Sequence, residues 1–518
     1  MTDHISPVRD VAVRAVQNDL PIPARARTER RVPIEALTQA DRTDAARPDV
    51  DVAANAVTEL AQPGSVAARS GARTPLREFI VFLPQNGELA ASRSTFTDGV
   101  LRSMRANQTE AQRALSSERR GRYVALLSDA QVENYRTAGL RVFENVQVSL
   151  PRPVEGQATT TEFRPNDEFS NPTHGVDALQ EEPGWLGAGV LYIGLDTGSA
   201  EHPDNAPTVL FDDIYTPSET DPQTDGHGHG THTDGIGRAQ GDNVTTARGV
   251  APEAIPAHVK VLTDSGSGTL AGVIAGVERA IEWANRPEYA DKPVVANMSL
   301  GAYASGNRDE DPLAQIVNEA VVEHGIFMSV SAGNSGPGLG TVGTPGVAQH
   351  AATIAATDHW DTVDPSDDEI ASFSSRGDPS GPLGQSDKPD LAAGGVFVNS
   401  TVPGGGYARW SGTSMAAPQV TGAAAVLLGR AQELYDEGMF RINPREMVRS
   451  GELLAIMQET AFDLPDPSHA DGAGDLRLNA AAELMLERHS LLHIVEREIA
   501  FREMIENLEA DDGQLDSR

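Results

Sequence analysis

Short apolar or β-branched runs of five or six residues recur through the middle of the chain, and apolar residues at helical spacing fill several of the gaps between them. The runs at 190–195, 258–262, 294–298, 325–330 and 352–356 predict strands. The patterns at 270–284 and 313–324, and the apolar stretch 415–428, predict helices. Strands that alternate with helices predict a parallel sheet covered on both faces, a three-layer α/β domain. Such a sheet carries its functional loops at the carboxyl ends of its strands. A second patterned region lies upstream. Residues 78–83 read as a strand, 95–115 as a helix, 123–127 as a strand, 128–138 as a helix and 140–150 as a strand or hairpin, which predicts a small α+β unit.

These patterns divide the chain into five parts. Residues 1–75 are rich in Ala, Arg, Pro and Asp without periodicity and are expected to be disordered. The α+β unit occupies 76–151, a loose linker 152–182, the large domain 183–485 and a C-terminal helix with an acidic tail 486–518. One long helix is expected over 480–508, either packed on the domain before it or offered to a partner or a second copy. No apolar run reaches 18 residues, so no spanning helix and no membrane partner is expected.

The candidate chemistry sits at the predicted strand ends. Asp196 closes the run Leu195-Asp196-Thr197-Gly198, and His229 stands in Asp225-Gly226-His227-Gly228-His229-Gly230-Thr231-His232. Ser414 follows Gly412-Thr413 and opens the apolar run, and Asn334 lies in Ser331-Ala332-Gly333-Asn334. Taken singly, each has an ordinary structural use: Ser414 as a helix cap, Asn334 as a turn residue, Asp196 as a strand terminus. The histidine cluster also invites a zinc reading. Its spacings of two and three, without an intervening glutamate, argue against the paired histidines of zinc proteases.

Together these residues resemble the subtilisin-like serine proteases, the subtilases, whose triad runs Asp, His, Ser along the chain. The resemblance covers roughly 184–482 and extends to Gly249-Val250-Ala251-Pro252 and Lys388-Pro389-Asp390. It implies that Ser414 is the nucleophile, His229 its base and Asp196 the group that orients the base. Asn334 and the backbone N–H of Ser414 would then bind the oxyanion. It also implies two edges that hold an extended peptide, Ser299-Leu300-Gly301 and Gly266-Ser267-Gly268. Gly343 would form the floor of a pocket for a large apolar side chain, and His227 the rim beside the base. Structural calcium is suggested at Asp204 and Asn243, against the alternative of a surface Asp and a turn Asn; the chemistry itself requires no cofactor. The unit 76–151 resembles an inhibitory, ferredoxin-like propeptide, which implies a zymogen cut between 154 and 174; an unrelated adaptor is the alternative. The run 335–346 looks closest to the pyrolysin-like branch, so release of short N-terminal peptides stands beside endopeptidase action, as does a non-catalytic binding protein on the same fold. One departure is Thr233-Asp234 after His232, where Asp234 either faces the helix of the base and raises its pKa or points to solvent.

Charge adds a constraint. The 518 residues carry 41 Lys+Arg against 75 Asp+Glu, a net charge of −34. Residues 1–150 hold 20 of the basic and 18 of the acidic groups, so the remainder carries about −36. Such acidity argues against a nucleic-acid partner. High-salt adaptation and a codon bias toward arginine are rival reasons for having only three lysines. Cysteine is absent, which excludes disulfides and thiol catalysis. The first ten residues lack a signal-peptide layout. The expectation is a cytoplasmic protein, or one that leaves by another route.

Overall fold

The computed structural model describes residues 76–83, 99–106, 108–150, 170–215, 223–244, 247–302, 308–360, 362–382 and 384–495. The expectations for 1–75, for most of the linker and for the tail beyond 495 lie outside the described residues. In the upstream unit β1 (Arg77–Phe82) is central to an antiparallel sheet, between β2 (Arg122–Leu127) and β3 (Arg141–Glu144). The strand period of two divides its side chains. Phe79 and Val81, opposite Ala125 and Tyr123, join Met104, Val132 and Tyr135 in a core of the unit's own. Ile80 and Val124, a facing pair on the other side, belong to the core of the large domain. The helix expected over 95–115 is two helices, 99–106 and α1 (Glu110–Ala114), because Thr109 and Gln112 form a capping box that starts the second. After α2 (Asp129–Thr137) and β3, the chain leaves this sheet as β4 (Gln147–Ser149). A ferredoxin-like layout has four strands; among the described residues this sheet has three.

The large domain is built on β5 (Leu191–Asp196), β6 (Leu210–Asp213), β7 (Ile255–Lys260), β9 (Val294–Met298), β10 (Ile326–Ser331), β11 (Ala352–Asp358), β12 (Glu369–Ile370) and β13 (Leu391–Gly394). Their order is β12-β11-β10-β9-β5-β7-β6, with β13 beside β11, and every pairing except that of β12 is parallel. β5, β9 and β10 are buried along their whole length, as the centre of a sheet covered on both faces must be. Helices α3 (His229–Arg238) and α6 (Thr413–Asp436) pack on each other, as do α4 (Leu270–Ala284) and α5 (Pro312–Val322). The outer layers are therefore helical, and the three-layer α/β expectation holds.

The C-terminal helix is interrupted where a single run was expected. α7 (Leu478–His489) ends at Ser490, which turns to extended backbone and bridges to Phe440, and helix resumes at 491, continuing to the last described residue, 495. Leu478, Ala481, Ala482 and Met485 on α7 are buried in the domain core. Arg488 reaches Glu452 at 3.1 Å on the neighbouring helix. The apolar stripe of this part is thus used within the domain.

Candidate active site

Adjacent strands of the sheet deliver the candidate residues to one edge. Asp196 is the last residue of β5; Ser299 follows β9 and Asn334 follows β10. His229 is the first residue of α3, and Ser414 lies in the first turn of α6. Asp196 is fully buried and its two oxygens lie 2.8 and 3.0 Å from His229 Nδ1. The Thr197 N–H donates to the same carboxylate at 2.7 Å. Trp410, four residues before Ser414, stacks over His229 with ring centroids 6.2 Å apart and over His232 at 4.3 Å.

Ser414 is held by a reciprocal pair of contacts. Its hydroxyl donates to Ser299 O at 3.3 Å, and the Ser299 hydroxyl donates to Ser414 O at 2.9 Å. The second bond answers a local defect. A helix would satisfy Ser414 O with the N–H of residue 418, but that residue is proline. Ser299, expected as a substrate edge, therefore fixes the position of Ser414. Asn334 turns its oxygen toward Thr413, accepting from the backbone N–H at 3.0 Å and the hydroxyl at 2.9 Å. Its nitrogen is left as the donating end. A β-carbon at Gly412 would stand 3.1 Å from that nitrogen, so a larger residue there would crowd it.

Asp225, at the start of the histidine run, organises the loop. Its buried carboxylate accepts from the N–H groups of Gly228 (2.8 Å), Thr231 (2.9 Å) and His227 (3.2 Å) and from the hydroxyls of Thr197 (2.9 Å) and Thr231 (2.7 Å). An acceptor four residues ahead of a helix start was the available signal. His227 lies beside the base, with ring centroids 6.3 Å apart, and a β-carbon at Gly266 would stand 3.0 Å from its Nε2. His232 is buried and donates from Nε2 to Ala408 O at 2.8 Å, and burial pushes it down to about 3.

Asp234 neither touches the base nor meets solvent: it is buried against Arg238 (2.7 Å) and His258 (3.1 Å). Burial alone would raise its carboxyl, but Arg238 and then His258 pull it down to about 2. Asp204 and Asn243 do meet, but not as cation ligands. The Asn243 N–H (2.6 Å) and side-chain amide (2.9 Å) donate to Asp204 Oδ1, and the Val244 N–H (3.1 Å) and Tyr407 hydroxyl (2.5 Å) donate to Oδ2. Four donors occupy the lone pairs of one carboxylate, and Asn243 presents nitrogen rather than oxygen. These residues do not fit calcium, which requires six to eight oxygen ligands.

The two edges expected to hold a peptide are paired with the chain itself. β4 pairs antiparallel with β8 (Ser267–Thr269), and Ser149 forms an antiparallel bridge to Gly301. Ser149 and Gly301 exchange N–H···O bonds of 3.1 and 3.0 Å, and the Leu150 N–H donates to Gly266 O at 3.1 Å. Leu300 between them is buried. Gly268 pairs with Val148 on the other edge. Gly343 packs against the strand that continues from Gly301: a β-carbon there would meet Ala302 O at 2.5 Å.

The subtilase family model matches residues 189–474. Serine protease AprX of Bacillus subtilis is 35% identical over 304 residues, 55% of this chain and 66% of its own length. Subtilisin E of the same organism is 38% identical over 250 residues, 48% of this chain and 57% of its own. The intracellular serine protease of Paenibacillus polymyxa is 32% identical over 320 residues, 60% of this chain and 86% of its own length. The chain therefore spans less than two thirds of the first two relatives.

Proposed function

From its membership of the subtilase family, to which this chain belongs, we propose that it is a serine endopeptidase that hydrolyses extended polypeptides and is made as a self-processing zymogen. The observation that carries this reading is β4, lying between Gly266–Gly268 and Gly301 in the manner of a bound peptide. His229 accepts the proton of Ser414 as the hydroxyl oxygen attacks the scissile carbonyl, while Asp196 holds Nδ1 and stabilises the imidazolium. The Asn334 amide and the Ser414 N–H bind the oxyanion. His229 returns the proton to the leaving amine, and water then releases the acyl group by the same route.

In this reading residues 76–150 are the inhibitory unit. If a bound segment kept the Ser149–Gly301 register for two further positions, the cut would fall after residue 151, earlier than the region 154–174 that linker composition suggests. Wild-type protein is expected to lose about the first 151 residues by this register, read by intact mass, while Ser414→Ala remains whole and inactive. Asn334→Ala should lower kcat by roughly 10²–10³ with little change in KM. Wild-type turnover by Ser414→Ala would refute the assignment. A wild-type chain that is fully active while uncut would refute the zymogen.

A further inference from the structure

Away from the active site, His174, His359 and Asp475 bring one ligand atom each within 4.8 Å of one another in a fully buried cluster. His174 Nε2 is 3.3 Å and His359 Nε2 3.6 Å from Asp475 Oδ2, and Asp368 Oδ2 is 3.9 Å from His359 Nε2. Ligand atoms on a tetrahedral ion with bonds of about 2.0–2.1 Å stand roughly 3.4 Å apart, so the first two separations are those of a coordination shell. The hydrogen bonding points the same way. Both ring nitrogens of His174 and both oxygens of Asp368 are buried without a hydrogen-bond partner. Arg477 donates to Asp475 Oδ2 at 2.9 Å and stands 3.9 Å from Asp368 Oδ2. Thr357 donates to Asp475 Oδ1 at 2.9 Å, so Oδ2, shared with Arg477, is the oxygen that faces the two imidazoles, although the Thr357 hydroxyl also lies 3.0 Å from His359 Nε2.

We propose that His174, His359 and Asp475 form a structural site for a divalent transition-metal ion of the zinc type. Two imidazoles and a carboxylate suit that ion, whereas calcium takes oxygen ligands. The ion would join three distant parts of the chain. Residue 174 lies within the expected linker, and its carbonyl already accepts the Leu478 N–H at 2.9 Å. The competing arrangement, one protonated histidine between the carboxylates, needs no metal but leaves His174 Nδ1 without a hydrogen-bond partner.

Full-length Ser414→Ala protein, stripped by chelator, tests the proposal without self-digestion. Zinc should bind at one equivalent and raise Tm because it binds the folded chain preferentially. Cobalt in its place should give the strong visible absorption of a four-coordinate ion. His174→Gln and His359→Gln, shown folded by circular dichroism, should each weaken zinc uptake by at least about tenfold. Binding of less than about a tenth of an equivalent with an unchanged Tm, the behaviour of a metal-free histidine pair, would overturn it. So would variants that bind zinc as the parent does, or calcium acting equally well.

Discussion

Burial holds His232 in its neutral form beside His229. It sits one turn after His229, under the same indole, and burial lowers its pKa from the ordinary 6.5 to about 3. Between those two values the unfolded chain binds a proton that the folded chain does not, so this group makes stability fall as pH drops from about 6.5 toward about 3. In inactive Ser414→Ala protein, denaturant unfolding across pH 4–6 should therefore be steeper with His232 than with His232→Gln, by about 1.4 kcal/mol per pH unit. Parallel curves would show that the imidazole is not held neutral. Asp225 and Asp204 also rest on several donors each. Both lie in polar loops whose sequence does not show those donors, and Tyr407, which donates to Asp204, is 203 positions away.

At the level of elements, the upstream unit is held on the helical layer by a few matched charges as well as by strand pairing. Arg122 is 1% exposed and forks onto Glu278 of α4 at 2.7 and 3.1 Å, while Arg120 reaches Glu319 of α5 at 2.5 Å. Removing one partner of a buried pair leaves the other charge desolvated, at a cost of about 3–5 kcal/mol. Glu278→Ala should thus leave the peptidase fold intact but loosen the severed unit. The protein concentration at which a cut mixture is half active should rise at least about tenfold; an unchanged midpoint would place the grip elsewhere. Central elements were legible because burial on both faces demands apolar runs: β9 and α4 match their expected bounds to the residue. β6 and β13 were missed because Leu210-Phe211-Asp212-Asp213 is half acidic and Leu391-Ala392-Ala393-Gly394 has no β-branched residue. The long C-terminal helix failed for a different reason. Its heptad-like apolar spacing continues through Ser490, and what stops it is a tertiary bridge to Phe440.

For the whole molecule, the charge imbalance lies almost entirely after residue 150. Two of the three lysines do nothing to relieve it at the surface. Lys260 and Lys388 are buried against Asp264 (2.7 Å) and Asp390 (2.6 Å). Self-repulsion of the acidic surface is screened by salt. The melting temperature of Ser414→Ala protein is therefore expected to rise from low to multimolar KCl. A best melting temperature at low salt would leave lysine scarcity to codon composition.

The strand addition at Gly301 and Gly268 has a consequence for what can be cut. A segment that adds between these edges must surrender its own internal hydrogen bonds over several residues. A folded target offers such a segment only when it opens locally. Cleavage of native proteins would then track the population of their opened forms, and so their local stability, more than the identity of the residues flanking the bond.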